Sequence, residues 1–139
     1  MNKIEVIKEL KKYNLDIKRY IIISGTAMVL HGLKSETPDI DISITPDYEE
    51  ELLEDYLAVL EHINPNGTFA YMIDDIINFG VNYYSEAKEY IDGFPVQSID
   101  DIIKLKEFLN REKDRKDLKL LYKRKAQINN IWVFWCTFL

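Results

Sequence analysis

Strict alternation of polar and apolar side chains over residues 39–45 constrains the fold of this chain more than any other feature. Three isoleucines alternate there with two acids and a serine: Ile40, Ile42 and Ile44 against Asp39, Asp41 and Ser43. Because neighbouring side chains of a strand point to opposite faces, the isoleucines predict the core face and the acids share the other face. Two carboxylates at this spacing, with Cα atoms roughly 6.5–7 Å apart, can hold one or two hard cations. The pattern therefore predicts a strand with a metal site on Asp39 and Asp41.

A short apolar segment and a small-residue turn precede this strand. Residues 20–23 are aromatic or β-branched and predict a buried strand. The turn at residues 24–26 then opens a helix over residues 26–31, which we expect Thr26 to cap and Gly32 to end. A tight turn at a helix start presents backbone N–H groups that can bind a phosphate. A metal site beside a phosphate site is what phosphoryl or nucleotidyl transfer requires.

The rest of the chain predicts further helices and strands. We expect helices over residues 3–14, 47–62, 98–110 and 112–125, and a short one over residues 85–90. We expect strands over residues 68–73 and 76–84, paired as a hairpin around Asp74-Asp75, and an edge strand over residues 94–96. Together they predict a mixed α/β fold (α+β mixed sheet). We expect one domain over residues 1–139, with a core at 18–97, a C-terminal helical part at 98–126 and an apolar tail at 127–139.

The charge is distributed unevenly along the chain. A net charge of −6 argues against a protein that coats nucleic acid nonspecifically. Residues 104–125 nevertheless carry ten of the 18 Lys and Arg residues and only four of the 24 Asp and Glu residues. This basic stretch is either a solvated helix face or a surface for polyanions such as triphosphates or RNA. We also expect His31 to be a partly buried helix-end residue and His62 to be solvated.

The lone Cys136 excludes an internal disulfide, which fits a cytoplasmic protein. Residues 1–13 are charged and amphipathic, so we expect no signal peptide, and no run reaches the about 20 apolar residues of a membrane span. The apolar segment at residues 131–139 is too short to span a bilayer. It predicts either a final strand or coil that packs on the body of the protein or a contact in a homo-oligomer.

Two motifs resemble the nucleotidyltransferase superfamily, which has the DNA polymerase β-like fold. In the first, a strand leads to a Gly-containing turn that opens a helix, and the next strand carries Thr37-x-Asp39-x-Asp41. This motif is most similar to a small bacterial branch with the AbiEii-type toxins of type IV toxin–antitoxin systems and the lincosamide and aminoglycoside nucleotidyltransferases. The second motif resembles the helical motif of that branch, in which Lys106 precedes an Arg-x-Lys-Asp-x-x-Asp pattern at residues 111–117.

The resemblance implies a minimal nucleotidyltransferase-like core with C-terminal helices. Asp39 and Asp41 would be the catalytic carboxylates and would bind Mg²⁺. The nucleotide would contact Ser24, Gly25 and Thr26, and Lys106 would face the triphosphate. The implied reaction moves a nucleoside monophosphate from an NTP to a hydroxyl group of an antibiotic, an RNA end or a protein, and releases pyrophosphate.

Two positions depart from the family pattern. Ser24 stands where the first Gly is usual, and a residue with a Cβ fits there only if the position does not need a positive φ. The family also places a third carboxylate on a later strand, where this chain reads Val81-Asn82-Tyr83-Tyr84. Asn82 cannot act as a base. Asp74 or Asp75 could replace that carboxylate only if the strand register brings it near Asp39 and Asp41.

The departures keep other functions open. A member of the fold without the base would bind a nucleotide or a partner without catalysis, for example as a toxin–antitoxin component. A weaker alternative is an RNA-binding protein that uses the basic helical stretch at residues 104–125.

Overall fold

The computed structural model describes the backbone of residues 1–138 and the side chains of residues 1–131. The chain forms two compact units, one from Met1 to Ser98 and one that begins at Ile99. The first unit contains helices α1 (Lys3–Tyr13), α2 (Ser24–Leu30) and α3 (Pro46–Asp55). Its strands are β1 (Tyr20–Ile22), β2 (Ile40–Ile44), β3 (Ala58–Ile63), β4 (Phe69–Ile73), β5 (Ile77–Gly80), β6 (Glu89–Ile91) and β7 (Phe94–Val96). The second unit consists of α4 (Ile99–Leu109) and α5 (Glu112–Phe138).

The strands form one mixed sheet in the order β3-β4-β5-β2-β1-β7-β6. β2 pairs antiparallel with β1 and parallel with β5, so it lies in the middle of the sheet. Its isoleucines, Ile40, Ile42 and Ile44, are all buried, as the alternation predicts. The mixed α/β fold expected from the sequence is thereby confirmed, and β2 is the central element on which a site can be built.

Helix α1 shows how local sequence sets an element boundary. Asn2 caps the helix by accepting a hydrogen bond from Glu5 N at 2.9 Å, and the Glu5 side chain accepts one from Asn2 N at 3.2 Å. This reciprocal capping box satisfies two N–H groups that would otherwise lack acceptors. Asn14, with a φ of +50°, ends the helix in the left-handed conformation that Asn tolerates.

The hairpin expected around Asp74-Asp75 is confirmed. β4 and β5 pair antiparallel, and Ile76 N donates to Ile73 O at 2.9 Å across the turn. Asp74 and Asp75 have φ values of +53° and +54°. Positive φ at both central residues matches the twist of the flanking strands, which is why Asp and Asn are favoured there.

One predicted helix is too long and another is absent. The helix expected over residues 47–62 ends at Asp55, and residues 58–63 form β3 instead. Tyr56 leaves the helical region with a φ of −131° and a ψ of 148°, and the following residues pair with β4. Cross-strand pairing therefore outweighs the local helical pattern. The short helix expected over residues 85–90 is also absent, and Glu89 instead begins β6.

The strand at residues 94–96 exists, but it is not at the edge of the sheet. β7 lies between β1 and β6. Its ladder to β1 is confined to the pair Ile22 and Val96, followed by the hydrogen bond from Gln97 N to Ile22 O at 2.9 Å. Pro95 lacks an N–H but precedes this short contact, which explains why an interior strand tolerates it.

The second unit is a pair of helices. Asn110 N donates to Lys106 O at 2.9 Å, and Asn110 has a φ of +47° where α4 ends. Buried apolar side chains from both helices form its core: Ile102, Ile103, Leu105, Leu118 and Leu121.

The strand or coil expected for residues 131–139 is wrong for residues 131–138, because α5 continues to Phe138. No Gly or Pro interrupts residues 112–138, so nothing in the local sequence stops the helix. The predicted packing or homo-oligomer contact of the apolar tail involves side chains outside the described residues. Among residues 1–138, no helix combines the length and the apolar character that crossing a bilayer requires.

Candidate metal and phosphate site

The two acids of the first motif lie where the alternation predicts. Asp39 immediately precedes β2 and Asp41 is its second residue, and both are partly exposed. The intervening Ile40 is fully buried on the opposite face. Successive residues of a strand alternate between faces, so the two carboxylates share the face that is not the core.

Two threonine hydroxyls fix the main chain beneath these acids. Thr26 Oγ1 donates to Asp39 O at 3.1 Å and accepts from Asp41 N at 2.9 Å. Thr37 Oγ1 donates to the same Asp39 O at 3.0 Å. Thr26 is 0% exposed, so its hydroxyl bonds are shielded from water. We refer to Thr26 and Thr37 as the hydroxyl clamp, because they hold both ends of the Asp39–Asp41 segment.

The structure revises the expectation for Thr26. It does not cap α2, because Ile23 is the N-cap residue and Thr26 lies one turn inside the helix start. Its hydroxyl connects α2 to β2, which makes it a positioning residue for Asp39 and Asp41. The sequence motif contains Thr37, but its role in the clamp was missed, because the register of a loop against a helix is not visible in a local pattern.

The start of α2 is strained at Ser24, its first residue. Ser24 has a φ of +57°, in the left-handed region that costs a residue with a Cβ roughly 1–2 kcal/mol. We expected a residue with a Cβ to fit here only if the position did not need a positive φ. The position does have a positive φ, so this expectation is wrong. Ser24 N donates to Gln97 Oε1 at 3.0 Å, which holds the strained turn in place. Such strain is typical of functional loops, where the surrounding structure maintains it.

Gln97 and His31 support the turn from behind. Gln97 is 4% exposed, and its carbonyl oxygen lies 2.9 Å from His31 Nε2. Because a carbonyl can only accept, Nε2 carries the proton in this contact. His31 follows the last residue of α2 and is partly buried, as we expected, with its side chain 7% exposed. The sequence contains no local signal that links Gln97 to Ser24 over 73 residues.

The residue beside Asp41 on the next strand is Asn78, not Asn82. The parallel ladder of β2 and β5 pairs Asp41 with Asn78. Asn82 lies beyond the end of β5, where its Oδ1 accepts from Asn66 Nδ2 at 2.8 Å and from Thr68 Oγ1 at 2.7 Å. The strand predicted over residues 76–84 ends at Gly80, four residues earlier than expected, so Asn82 is not the strand residue beside Asp41.

Asp74, the other candidate for a third carboxylate, lies in the turn between β4 and β5. Its Oδ2 accepts from the Tyr13 hydroxyl at 2.6 Å. Burial and this neighbouring carboxylate both raise the pKa of Tyr13. Within the described residues, no group of three or more His, Cys, Asp or Glu side chains is arranged to hold a metal. Asp39 and Asp41 therefore stay the candidate acids, and the Asn78 amide lies beside Asp41.

The second motif forms a separate charge cluster within the second unit. Lys106 Nζ lies 2.9 Å from Asp117 Oδ2 and 3.3 Å from Asp114 Oδ1, and the Lys106 side chain is 3% exposed. Arg111 Nε is 2.7 Å from Asp114 Oδ2. We call Lys106, Arg111, Asp114 and Asp117 the α4–α5 charge cluster. Lys106 is thus buried and does not belong to a solvated helix face. The contact with a triphosphate that the resemblance implies for Lys106 stays a prediction.

The electrostatics of Asp114 reflect this cluster. Burial alone would raise the pKa of Asp114, but the hydrogen bonds from Arg111 and the charge of Lys106 outweigh it and hold the pKa at about 2. Asp114 therefore stays ionised at all but very acid pH, and the ion pair is a permanent part of the second unit.

The fold and the β2 site define a protein of the nucleotidyltransferase superfamily, as the two motifs predicted. Residues 1–124 match the family described as nucleotidyltransferase of unknown function (DUF6036). This match covers most of the chain, so the protein belongs to that family. No curated protein sequence matches the chain significantly.

Solved structures with the same fold include two of the antibiotic-resistance factor ANT(2'')-Ia. Its solution structure is 16% identical with a TM-score of 0.53, over 93% of this chain and 90% of that one. Its crystal structure with adenylyl-2''-tobramycin is 17% identical with a TM-score of 0.54, over 96% and 95%. A Thermotoga maritima protein assigned provisionally as a nucleotidyltransferase is 15% identical with a TM-score of 0.57, over 89% and 96%. At these identities the likeness concerns the fold.

Proposed function

We propose that this protein transfers a nucleoside monophosphate from an NTP to a hydroxyl acceptor in a reaction that depends on Mg²⁺. The observation that carries the proposal is the pair Asp39 and Asp41 on one face of β2, with their main chain fixed to α2 by the hydroxyl clamp. Family membership supports the same class of reaction.

The oxygen donors at the site fit a hard divalent cation. Carboxylate and amide oxygens are the ligands that Mg²⁺ and Mn²⁺ accept, and Asp39, Asp41 and Asn78 provide them. When bound, the cation would neutralise charge on the phosphates and on the attacking and leaving oxygens. The clamp matters for this purpose because carboxylates on a fixed main chain need little reorganisation to bind.

The first turn of α2 is the proposed phosphate contact. At a helix start the first amides have no acceptor within the helix, so the N–H groups of Gly25 and Thr26 are the donors for a nucleotide phosphate. The N–H of Ser24 is bonded to Gln97 and orients the turn. These residues would contact the NTP. They therefore do not indicate which molecule supplies the hydroxyl group that receives the nucleotide.

The first acceptor to test is an aminoglycoside hydroxyl, because a structural neighbour is seen with adenylyl-2''-tobramycin. The assay incubates the protein with each α-³²P-labelled NTP, MgCl₂ and tobramycin. An RNA end and protein from a lysate serve as further acceptors. Transfer of label to one of them, dependent on Mg²⁺, is the expected result.

Asp41→Asn tests the metal role directly. It keeps the size of the side chain but removes one charge, so Mg²⁺-dependent NTP binding should fall by about 100-fold or be lost. Isothermal titration with NTP, with and without Mg²⁺, measures the effect, and Asp55→Asn at the exposed end of α3 is the matched control. Equal NTP affinity for Asp41→Asn and the wild type would contradict the proposal.

A binding member of the family without catalysis is the second candidate. The observation in its favour is that Asp41 has Asn78 beside it, and an amide cannot act as the general base for the attacking hydroxyl. This function predicts Mg²⁺-dependent NTP binding with no transfer to any acceptor. The labelled-NTP assay and the titration together distinguish the two candidates.

A further inference from the structure

Glu61 is hydrogen-bonded to the residue that lies beside Asp41. Asn78 Nδ2 donates to Glu61 Oε2 at 2.8 Å. The sheet order places β4 between β3 and β5, so these two side chains meet over β4. Glu61 is the extra residue of a bulge in β3, because the register on β4 skips from Leu60 to His62. Bulges of this kind redirect side chains and are frequent beside functional sites.

This hydrogen bond determines how the Asn78 amide is oriented. A carboxylate only accepts hydrogen bonds, so the amide must present its nitrogen to Glu61. β3 lies on one side of β5, and β2 with Asp41 lies on the other side. Since the nitrogen and the oxygen of an amide diverge from one carbon, Oδ1 is turned away from Glu61 and toward the side of Asp41.

We propose that Glu61 is a positioning residue that holds Asn78 so that its Oδ1 serves, with Asp39 and Asp41, as a neutral oxygen ligand for the divalent cation. The inference rests on the proposed function and adds to it a role for Glu61, on an edge strand outside both sequence motifs. It also explains how the site can work with an amide beside Asp41.

The arrangement has an electrostatic consequence. With a neutral ligand beside Asp41, the cation would contact two negative charges, those of Asp39 and Asp41. The Glu61 carboxylate would not contact the cation but would be hydrogen-bonded to its ligand Asn78. Hydrogen bonds from residues behind the ligands commonly change metal affinity by roughly 10–100-fold. The exposed position of Glu61 places the expected effect at the lower end of that range.

The test measures Mn²⁺ binding to the protein in the absence of nucleotide. Free Mn²⁺ is quantified by electron paramagnetic resonance for the wild type, Glu61→Ala, Glu61→Gln and Glu54→Ala. Glu54 is an exposed acid on α3, so its variant removes the same charge without touching Asn78. We expect Glu61→Ala to weaken Mn²⁺ binding by about tenfold, and Glu61→Gln to retain affinity within about twofold because its amide oxygen still accepts the bond.

The Mn²⁺ affinities of these variants distinguish failure of the Glu61 inference from failure of the proposed function. Equal affinities for Glu61→Ala and Glu54→Ala would overturn the inference while leaving the proposed function intact. A loss in Glu61→Gln as large as that in Glu61→Ala would also overturn it, because the effect would then be one of charge and not of orientation. Failure of the proposed function shows separately, as Mn²⁺ binding that is absent in the wild type or unchanged in Asp41→Asn.

Discussion

Aspartates are held in two different ways in the two units of this protein. In the first unit, the hydroxyl clamp fixes the main chain of Asp39 and Asp41, and both side chains remain partly exposed. In the second unit, Lys106 and Arg111 bind the Asp114 carboxylate itself, and Asp114 is fully buried. The first arrangement fixes the main chain and leaves both carboxylates partly exposed, as the proposed cation site requires, whereas the second uses a carboxylate to join two helices.

The two arrangements predict different effects of mutation, mainly on stability in the second unit and mainly on ligand binding in the first. Removing a charge from the α4–α5 charge cluster leaves a partner charge buried without compensation, which is costly. Removing a charge at Asp41 leaves a partly exposed segment with less negative charge, so under the proposed function it should weaken cation binding far more than it destabilises the fold.

Lys106→Met should lower the free energy of unfolding by about 3–5 kcal/mol, because Asp114 and Asp117 lose their shared cation in a buried place. Urea denaturation followed by circular dichroism measures the change. Lys104→Met on the exposed side of α4 is the matched control and should change stability by less than about 0.5 kcal/mol.

The same variant addresses the triphosphate contact that the resemblance implies for Lys106. If folded Lys106→Met binds Mg²⁺–NTP as tightly as the wild type, the lysine serves the second unit only. Equal losses of stability in Lys106→Met and Lys104→Met would contradict the contrast between the two units.

Acid should remove the contribution of Asp114. Its pKa is lowered from 3.8 to about 2, so its stabilisation is complete above about pH 4 and is lost as the pH falls through 2. The shift corresponds to about 2 kcal/mol. Because other carboxylates also titrate there, the measurement is the difference between the wild type and Asp114→Asn in urea denaturation at pH 5, 4, 3 and 2. Parallel pH profiles for the two proteins would show that Asp114 does not carry this dependence.

Thr26→Val should cost about 1–3 kcal/mol, because the backbone groups of Asp39 and Asp41 then lose a buried partner. It should also weaken Mn²⁺ binding, since the carboxylates are no longer held by the clamp. Thr26→Ser retains the hydroxyl and is the control. A Thr26→Val protein that loses stability but binds Mn²⁺ normally would show that the clamp supports the fold without positioning the acids.

The sequence predicts the centre of this fold well. Short-range alternation defines β2, and turn residues define the β4–β5 hairpin, so local chemistry is sufficient for both. It fails for β3, because residues 58–63 were predicted to continue the helix of the acidic stretch before them, and only pairing with β4 makes them a strand. Local propensity cannot anticipate a partner strand that follows later in the chain.

The candidate site is predictable only in part for the same reason. Asp39 and Asp41 are close in sequence and were found from spacing. Asn78 depends on the register of two strands, and Gln97 reaches Ser24 from a different part of the sheet. These contacts arise from topology, so a residue pattern alone led to Asn82 in place of Asn78.

Of these variants, Ser24→Gly should change the free energy of unfolding least, and it tests one specific feature, the backbone strain at Ser24. A glycine adopts the φ of +57° without the Cβ penalty, but it has more conformational freedom to lose on folding. The two terms nearly offset, so we expect a gain of at most about 1 kcal/mol in the free energy of unfolding. Ser24→Ala keeps the Cβ and should show no gain. Because the strain is relieved without altering the clamp, Mg²⁺–NTP affinity should hold in Ser24→Gly, and a loss there would assign the Ser24 hydroxyl to the phosphate contact.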